Sequence, residues 1–223
     1  MKRSPFSITE VVILITVFLI ISFGFSLYYL NKPSFDQFVK EDGFAEWVTV
    51  FGLIAGALVC FQRLFIYWNK KQKWFLLVTA VLGLFLFFAA GEEISWGQRI
   101  FHITTPDYFM EHNAQKETNL HNLVVGGVKL NKLIFSLVLV SVLVVFLVGV
   151  PWLYAKNEAA RKVLDTSAIP VPRLYQVIGF AIMFGITSLI PDGKNAELLE
   201  CGGALLFFLI VRFPKNKSIF SNQ

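Results

Sequence analysis

The chain has 223 residues, of which 56% are hydrophobic and 24 are phenylalanine, and its mean hydropathy is +0.63. This composition excludes an ordinary soluble domain, because several apolar runs approach or exceed the roughly 20 residues that span a bilayer core. The formal net charge of +5 needs no nucleic-acid partner, since loop topology and anionic membrane lipid account for it. The sequence therefore predicts a single integral membrane domain over residues 1–223.

The N-terminus begins with basic residues, as a signal peptide does, but its apolar run over 11–30 is too long for a signal sequence and no cleavage site follows. We expect a retained first helix that begins at a capping box, because Ser7 and Glu10 have that spacing. Cys60 and Cys201 fall in different apolar runs, which predicts two buried thiols and no disulfide.

Hydropathy predicts an all-α fold, a polytopic membrane helix bundle of about six transmembrane helices. No soluble domain, repeat or low-complexity tract interrupts the apolar segments, and a helix bundle pairs its own backbone groups in lipid. The predicted spans are about 8–30, 44–68, 74–93, 133–154, 174–190 and 197–213.

The distribution of charge predicts that both termini are cytoplasmic. Thirteen lysines and arginines fall on the side of the termini and seven on the other side, and loops rich in Lys and Arg stay in the cytoplasm. Only three acids accompany the thirteen cations, for a net charge of +10, whereas twelve accompany the seven, for −5. Localisation to a bacterial cytoplasmic (inner) membrane fits this topology.

Acidic residues contribute little to topology, so their concentration on the outer side points to function. Five of them lie within roughly one helical turn of the outer hydrocarbon boundary, on the second, third and sixth helices. Ionisable groups at that depth usually face a bundle interior or a wet cavity. The five are Glu46, Glu92, Glu93, Glu197 and Glu200.

The segment after the third span allows two interpretations. If the helix continues past residue 93, Glu92, Trp96 and Arg99 share one face. In the other interpretation, the helix ends at the interface, Trp96 belongs to the aromatic belt, and Glu92 with Arg99 forms a weak surface pair.

The long outer loop, residues 102–132, contains all three histidines. Glu117 and His121 have i, i+4 spacing, which suits an acid/base pair or two ligands of one metal ion, and equally a helical hydrogen bond on a solvated loop. Gly126 and Gly127 permit a bend, so we expect the segment to lie down on the bundle and bring Glu117 and His121 toward Glu92 and Glu93. His102 and His112 are predicted to be surface residues, and Thr105 with Pro106 predicts a helix start.

Three other segments have structural explanations. Gly52-x-x-x-Gly56 predicts a close helix contact. Residues 69–73 predict a cytoplasmic turn, and residues 156–173 predict a cytoplasmic loop that leads into a proline-marked helix start.

The motifs GEEISWGQRIF (91–101), TPDYF (105–109) and NAQKETNLHNL (113–123) resemble an uncharacterised family of bacterial multi-pass membrane proteins, and this resemblance implies no activity. Glu92 and Glu93 with Arg99 are also similar to the EExxxR motif of CAAX-processing-type intramembrane proteases, in which glutamate and histidine activate water. Here five residues separate Glu93 from Arg99 instead of three, and no FxxxH motif is present.

Three classes of function fit these patterns. The first is a membrane enzyme on a lipid or lipid-linked substrate, in which Glu92, Glu93, Glu117 and His121 catalyse and Arg99 orients a carboxylate or holds an anionic headgroup. It uses acid/base chemistry alone or a divalent metal ion, namely Zn, Fe, Mn or Ca. The second is a structural, assembly or cation-binding protein, and the third is an ion- or proton-coupled transporter. The predicted metal ligands are Glu46, Glu93, Glu117, His121, Glu197 and Glu200.

Overall fold

The structure is a computed structural model that describes residues 6–130 and 139–221. It is predominantly helical, which confirms the all-α prediction, and the sheet in those residues is one two-stranded hairpin. In chain order the α-helices described are α1 Ile8–Leu30, α2 Lys32–Phe38, α3 Phe44–Tyr67, α4 Lys73–Glu93, α5 Gln98–Phe101, α6 Asp107–His112, α7 Leu139–Val144, α8 Val150–Lys156, α9 Glu158–Thr166, α10 Leu174–Ser188 and α11 Asn195–Arg212.

Three of these helices, α1, α3 and α4, are long and apolar enough to cross a membrane. A fourth span results if residues 141–156 and α9, which meet at a bend of 119°, are counted together. Helix α10 is apolar but has 15 residues, a length of about 22 Å. Helix α11 has 18 residues and three charged side chains. Residues 133–138 of the predicted span 133–154 lie outside the described residues.

Helix α1 begins at the predicted capping box. The Ser7 hydroxyl accepts a hydrogen bond from the Glu10 backbone N–H at 3.1 Å, and the Glu10 carboxylate accepts one from the Ser7 N–H at 2.9 Å. Two backbone donors that a helix start leaves unpaired are thereby satisfied.

The core of the bundle surrounds α11, which packs against α1, α3 and α10. Small residues bring these helices together, as the Gly52-x-x-x-Gly56 pattern predicted. A Cβ atom on Gly52 would lie 3.0 Å from the Ala204 carbonyl carbon, and one on Gly202 would lie 2.9 Å from Ile21. Cys60 and Cys201 are buried free thiols, as expected.

The bundle has two ends of opposite charge. The acidic end contains the first turn of α3, the last turn of α4 and the first turn of α11. The basic end contains the first turns of α1 and α10 and the last turns of α3 and α11. Here Gln176 Nε2 donates to the Leu209 carbonyl at 3.1 Å, and Arg63 Nη2 donates to the Val211 carbonyl at 2.6 Å.

The predicted connecting segment 156–173 contains a helix, because nine of its residues form α9, and it leads into α10 at Leu174, where a helix start was predicted. The Asn157 side chain accepts a hydrogen bond from the Ala160 N–H at 2.9 Å and so caps the helix. Before α8, a π-helical turn over Val145–Gly149 precedes Pro151, which has no N–H to donate.

A short hairpin ends the described part of the outer loop. Val124–Val125 pairs with Val128–Lys129 in antiparallel register. Gly126 and Gly127 form its turn with φ angles of +58° and +79°, which are accessible to glycine without strain. The predicted bend therefore lies at the two glycines.

Candidate carboxylate site

The chain leaves α4 through three consecutive left-handed residues. Helix α4 ends at Glu93, and Ser95, Trp96 and Gly97 have φ angles of +46°, +56° and +75°. A continued helix, the first interpretation of this segment, is therefore wrong. The reversal folds the Trp96 ring back against Gly91, where any Cβ atom would lie 2.8 Å from the ring.

Arg99 is held among three carboxylates from separate parts of the chain. Its Nη1 donates to both Glu117 carboxylate oxygens at 2.7 Å, and its Nη2 donates to Glu46 Oε1 at 2.6 Å. Its Nε lies 2.9 Å from Asp42 Oδ2, close enough for an ion pair but not aligned as a hydrogen bond. The alternative prediction of a weak Glu92–Arg99 surface pair was also wrong, because Arg99 binds these three acids instead.

Burial makes the Arg99 contacts stronger than ordinary surface pairs. The side chain of Arg99 is 21% exposed, and those of Glu46 and Glu117 are 7% and 12% exposed. Burial lowers the pKa of the Arg99 guanidinium, but the hydrogen bond to Glu117 and the charges of Glu46, Glu117 and Asp42 raise that pKa above its usual value overall. The bidentate contact with Glu117 also fixes the planar guanidinium in one orientation. We call Arg99 and its three acids the Arg99 cluster.

Glu117 belongs to a turn rather than a helix. Its carboxylate also accepts a hydrogen bond from the Ser95 hydroxyl, and Asn119 Nδ2 donates to Ser95 Oγ at 2.8 Å. Asn113 organises the turn, since its Oδ1 accepts from the Gln115 N–H at 2.8 Å and its Nδ2 donates to the Asn119 carbonyl at 2.9 Å. The expected i, i+4 helical pairing with His121 was wrong for this reason.

Glu92 attaches the same loop to the end of α4. Its Oε2 accepts from the backbone N–H groups of Leu120 at 2.6 Å and His121 at 3.0 Å, and its Oε1 accepts from Trp96 Nε1 at 2.8 Å. The prediction that this loop lies down on the bundle is confirmed at Glu92, which binds the His121 backbone, but Glu117 binds Arg99 and not Glu92 or Glu93.

His121 lies half-buried beside Glu92. Burial lowers the pKa of His121 below its usual value, and the neighbouring Glu92 carboxylate opposes that shift in part. His102 and His112 are exposed, as predicted. The His112 ring stacks on Tyr108 with a centroid distance of 4.6 Å.

Glu93, Glu197 and Glu200 form a second group, which we call the glutamate group. The Glu93 carboxylate interacts electrostatically with that of Glu197, and the Glu200 carboxylate with those of both. Glu93 and Glu200 are half-buried, whereas Glu197 is exposed and near Lys194. In residues 6–130 and 139–221, none of the three has a hydrogen-bond or ion-pair partner.

Five of the six predicted metal ligands are divided between these two groups, and His121 belongs to neither. Glu46 and Glu117 bind Arg99, and His121 lies beside Glu92. In the part of the chain that the structure describes, no three His, Cys, Asp or Glu side chains are arranged to hold a metal ion. These residues therefore do not fit a metal centre as they stand here.

Several residues of the site were not predicted from the sequence: Asp42, Ser95, Gln98, Asn113 and Asn119. The two asparagines could have been predicted as turn residues. Asn side chains favour turns in which they form a hydrogen bond with a backbone group two to three residues later in the chain. No sequence pattern that we recognise marks Gln98 as a site residue. It links the loop internally, since its Oε1 accepts from the Thr118 N–H at 2.7 Å and its Nε2 donates to Thr105.

No protein-family model matches this chain, and searches of curated proteins and of solved structures find no significant match. The resemblances noted from its motifs therefore stay predictions. The class that the fold supports is a predominantly helical protein with three to four helices long and apolar enough to span a membrane.

Proposed function

We propose that this chain is a bacterial inner-membrane protein of six spans, with both termini in the cytoplasm, and a membrane enzyme at its acidic end. In this proposal Glu93 and Glu200 are the acid/base pair, and the substrate is a lipid or lipid-linked molecule of the outer leaflet. The Arg99 cluster and Glu92 are the supports that hold the outer loop over this end.

One observation carries the proposal. Glu93 and Glu200 are half-buried carboxylates from different helices that interact with each other, and neither has a donor or a cation in the described part of the chain. The other glutamates of the site, Glu46, Glu92 and Glu117, are all engaged with Arg99, backbone N–H groups or side-chain donors. Buried carboxylates that support structure normally bind a hydrogen-bond donor or a cation. Two adjacent carboxylates that bind neither therefore suggest a functional role.

The chemistry follows from the proximity of two like charges. Two neighbouring carboxylates away from bulk water hold one proton between them more readily than two negative charges. The protonated member can then donate its proton to a leaving oxygen while the ionised member takes one from water or a hydroxyl nucleophile. The pair exchanges roles and keeps its single proton. Such general acid/base assistance contributes roughly 10²- to 10⁴-fold to a rate.

Cation binding is a second candidate, and the same observation favours it, because carboxylates without a basic partner attract cations. A cation-binding protein and an enzyme are expected to respond differently to substitution of one carboxylate. Loss of one carboxylate weakens a bound cation, whereas turnover needs both members of the pair.

The enzyme proposal is tested with Glu93→Gln and Glu200→Gln, which retain shape and remove the titrating oxygen. We expect the parent chain, when overproduced, to change the profile of membrane lipids or lipid-linked intermediates measured by mass spectrometry. Each glutamine variant should lose the change by roughly 10²-fold. Glu111→Gln is the matched control, because Glu111 is an exposed acid of the outer loop.

A lipid profile changed equally by the parent and both variants would rule out the acid/base pair. Elemental analysis of the same purified samples tests the metal prediction. Zn, Fe, Mn or Ca that is present in the parent and lost in both variants would favour cation binding or metal-assisted catalysis over the metal-free mechanism.

The proposed topology has its own test. Thirteen of the twenty cationic residues lie on the side of the termini, and this asymmetry supports a cytoplasmic location. A reporter that is active only in the periplasm should be inactive when fused after Gln223 and active when inserted in the exposed 102–104 segment. The opposite pattern would move the glutamate group to the cytoplasmic side.

A further inference from the structure

An apolar groove lies at the basic end of the bundle, between the 147–152 segment and α10. Its volume is about 520 Å³. Val148 and Trp152 line one side, and Leu174 and Val177 line the other. Three of these four side chains are exposed, and Val177 is half-buried. The groove is therefore an open channel along the outside of the bundle rather than an enclosed cavity.

Two cationic residues also line this groove, Arg173 and Lys215. Arg173 Nη1 donates to Glu10 Oε1 at 2.7 Å, and its Nε and Nη2 have no partner in residues 6–130 and 139–221. Lys215 is exposed, and its Nζ lies 5.6 Å from the Tyr154 ring centroid. No carboxylate of the described chain lies within ion-pair distance of Lys215, so its charge is uncompensated.

The combination of apolar walls and positive charge indicates the kind of ligand. Acyl chains fill apolar channels between membrane helices, and basic pockets between such helices bind the phosphates of anionic lipids. Trp152 stands where an aromatic ring of the membrane interface is expected, between apolar wall and polar end. Inorganic phosphate would use the two cations but would leave the apolar walls uncovered.

We propose that this groove binds one anionic phospholipid, with its phosphate at Arg173 and Lys215 and an acyl chain between Val148, Trp152 and Leu174. The site lies at the opposite end of the bundle from the glutamate group and does not depend on that group's function. It is a lipid site that belongs to the basic end.

The test is native mass spectrometry of the full chain in detergent, titrated separately with phosphatidylglycerol and phosphatidylcholine. The parent should bind phosphatidylglycerol more tightly. Lys215→Gln should weaken phosphatidylglycerol binding about fivefold, the effect of about 1 kcal/mol for one lysine near an anionic membrane surface. Lys217→Gln is the matched control, because Lys217 is exposed at the same end and does not line the groove, and it should bind like the parent.

Val148→Trp is a second variant, which tests the groove independently if Lys215→Gln perturbs the fold. Val148→Trp fills the groove from its exposed side and should reduce the binding of both lipids, while circular dichroism remains that of the parent. Equal affinity for the two lipids, an equal effect of the two lysine variants, or lipid binding that ignores Val148→Trp would overturn the proposal. Displacement of phosphatidylglycerol by inorganic phosphate alone would identify a phosphate site instead.

Discussion

Arg99 Nη2 lies 2.6 Å from Glu46 Oε1, and this contact joins the loop after α4 to the first turn of α3. The two residues are 53 positions apart in the chain. Together with the bidentate contact from Arg99 to Glu117, the contact links three segments of the acidic end through one guanidinium. The outer loop is therefore fastened to the bundle by a largely buried charge network.

Replacement of Arg99 by methionine should destabilise the protein by about 3 kcal/mol, because Glu46 and Glu117 would be left buried without their cation. For a chain of this length we expect the melting temperature in detergent to fall by about 10 °C. Lys40→Met is the control, since Lys40 is an exposed cation of the acidic end. Equal melting temperatures for the two variants would contradict a structural role for the Arg99 cluster.

Glu92→Ala should expose the backbone amides of the outer loop. Glu92 Oε2 is the acceptor for the N–H groups of Leu120 and His121, and a hydrogen bond to a charged group contributes about 1.5–3 kcal/mol. Hydrogen exchange should accelerate at residues 118–123, whereas Glu92→Gln, which retains one oxygen, should change it less. Unchanged exchange in the alanine variant would show that Glu92 does not hold the loop.

Stability should fall in acid through His121. Burial lowers its folded pKa below the ordinary value of 6.5, so the unfolded state binds more protons between the two values. The stabilising contribution is complete above pH 6.5 and is lost as the pH falls through the folded pKa. His121→Gln should have a melting temperature that decreases less than that of the parent from pH 7.5 to 5. His112→Gln, which alters an exposed ring, should follow the parent, and two identical pH profiles for parent and His121→Gln would refute the assignment.

Gly52→Leu should separate α3 from α11. Any side chain there meets the Ala204 backbone, because even a Cβ atom would lie 3.0 Å from its carbonyl carbon. Overpacking of this kind costs about 1–3 kcal/mol. Gly185→Leu is the control, since no atom of residues 6–130 or 139–221 lies within 4 Å of a Cβ atom at Gly185. Thermal denaturation that does not separate the two variants would argue against a close contact at Gly52.

Helix positions were readable from the sequence because apolar length and the capping box at Ser7 and Glu10 are local signals. Predicted bounds for the first three spans agree with α1, α3 and α4 to within one residue. The carboxylate partners of Arg99 could not be predicted from such local signals. The left-handed turn at 95–97 reverses the chain, and this reversal, rather than sequence spacing, decides which acids Arg99 meets.

The side-chain contacts of the outer loop also could not be predicted from sequence spacing. Sequence spacing suggested that Glu117 and His121 act together, but Asn113 and Asn119 fold that segment into turns that send Glu117 to Arg99 and His121 to Glu92. Side-chain bonds to nearby backbone compete with helix formation, and i, i+4 reasoning does not include them. Glu93 and Glu200 were predicted as site residues, but the electrostatic interaction between them became recognisable only in the folded chain.

The central position of α11 has a consequence for how the protein is made. Ala204 covers Gly52, and Leu198 and Cys201 complete the core between the earlier helices, yet α11 leaves the ribosome after the three helices that it packs against. Until α11 docks, the small-residue face of α3 that meets Ala204 is uncovered. The core therefore closes only when α11 docks, and a chain cut before residue 195 should be recognised by quality-control proteases as an orphan.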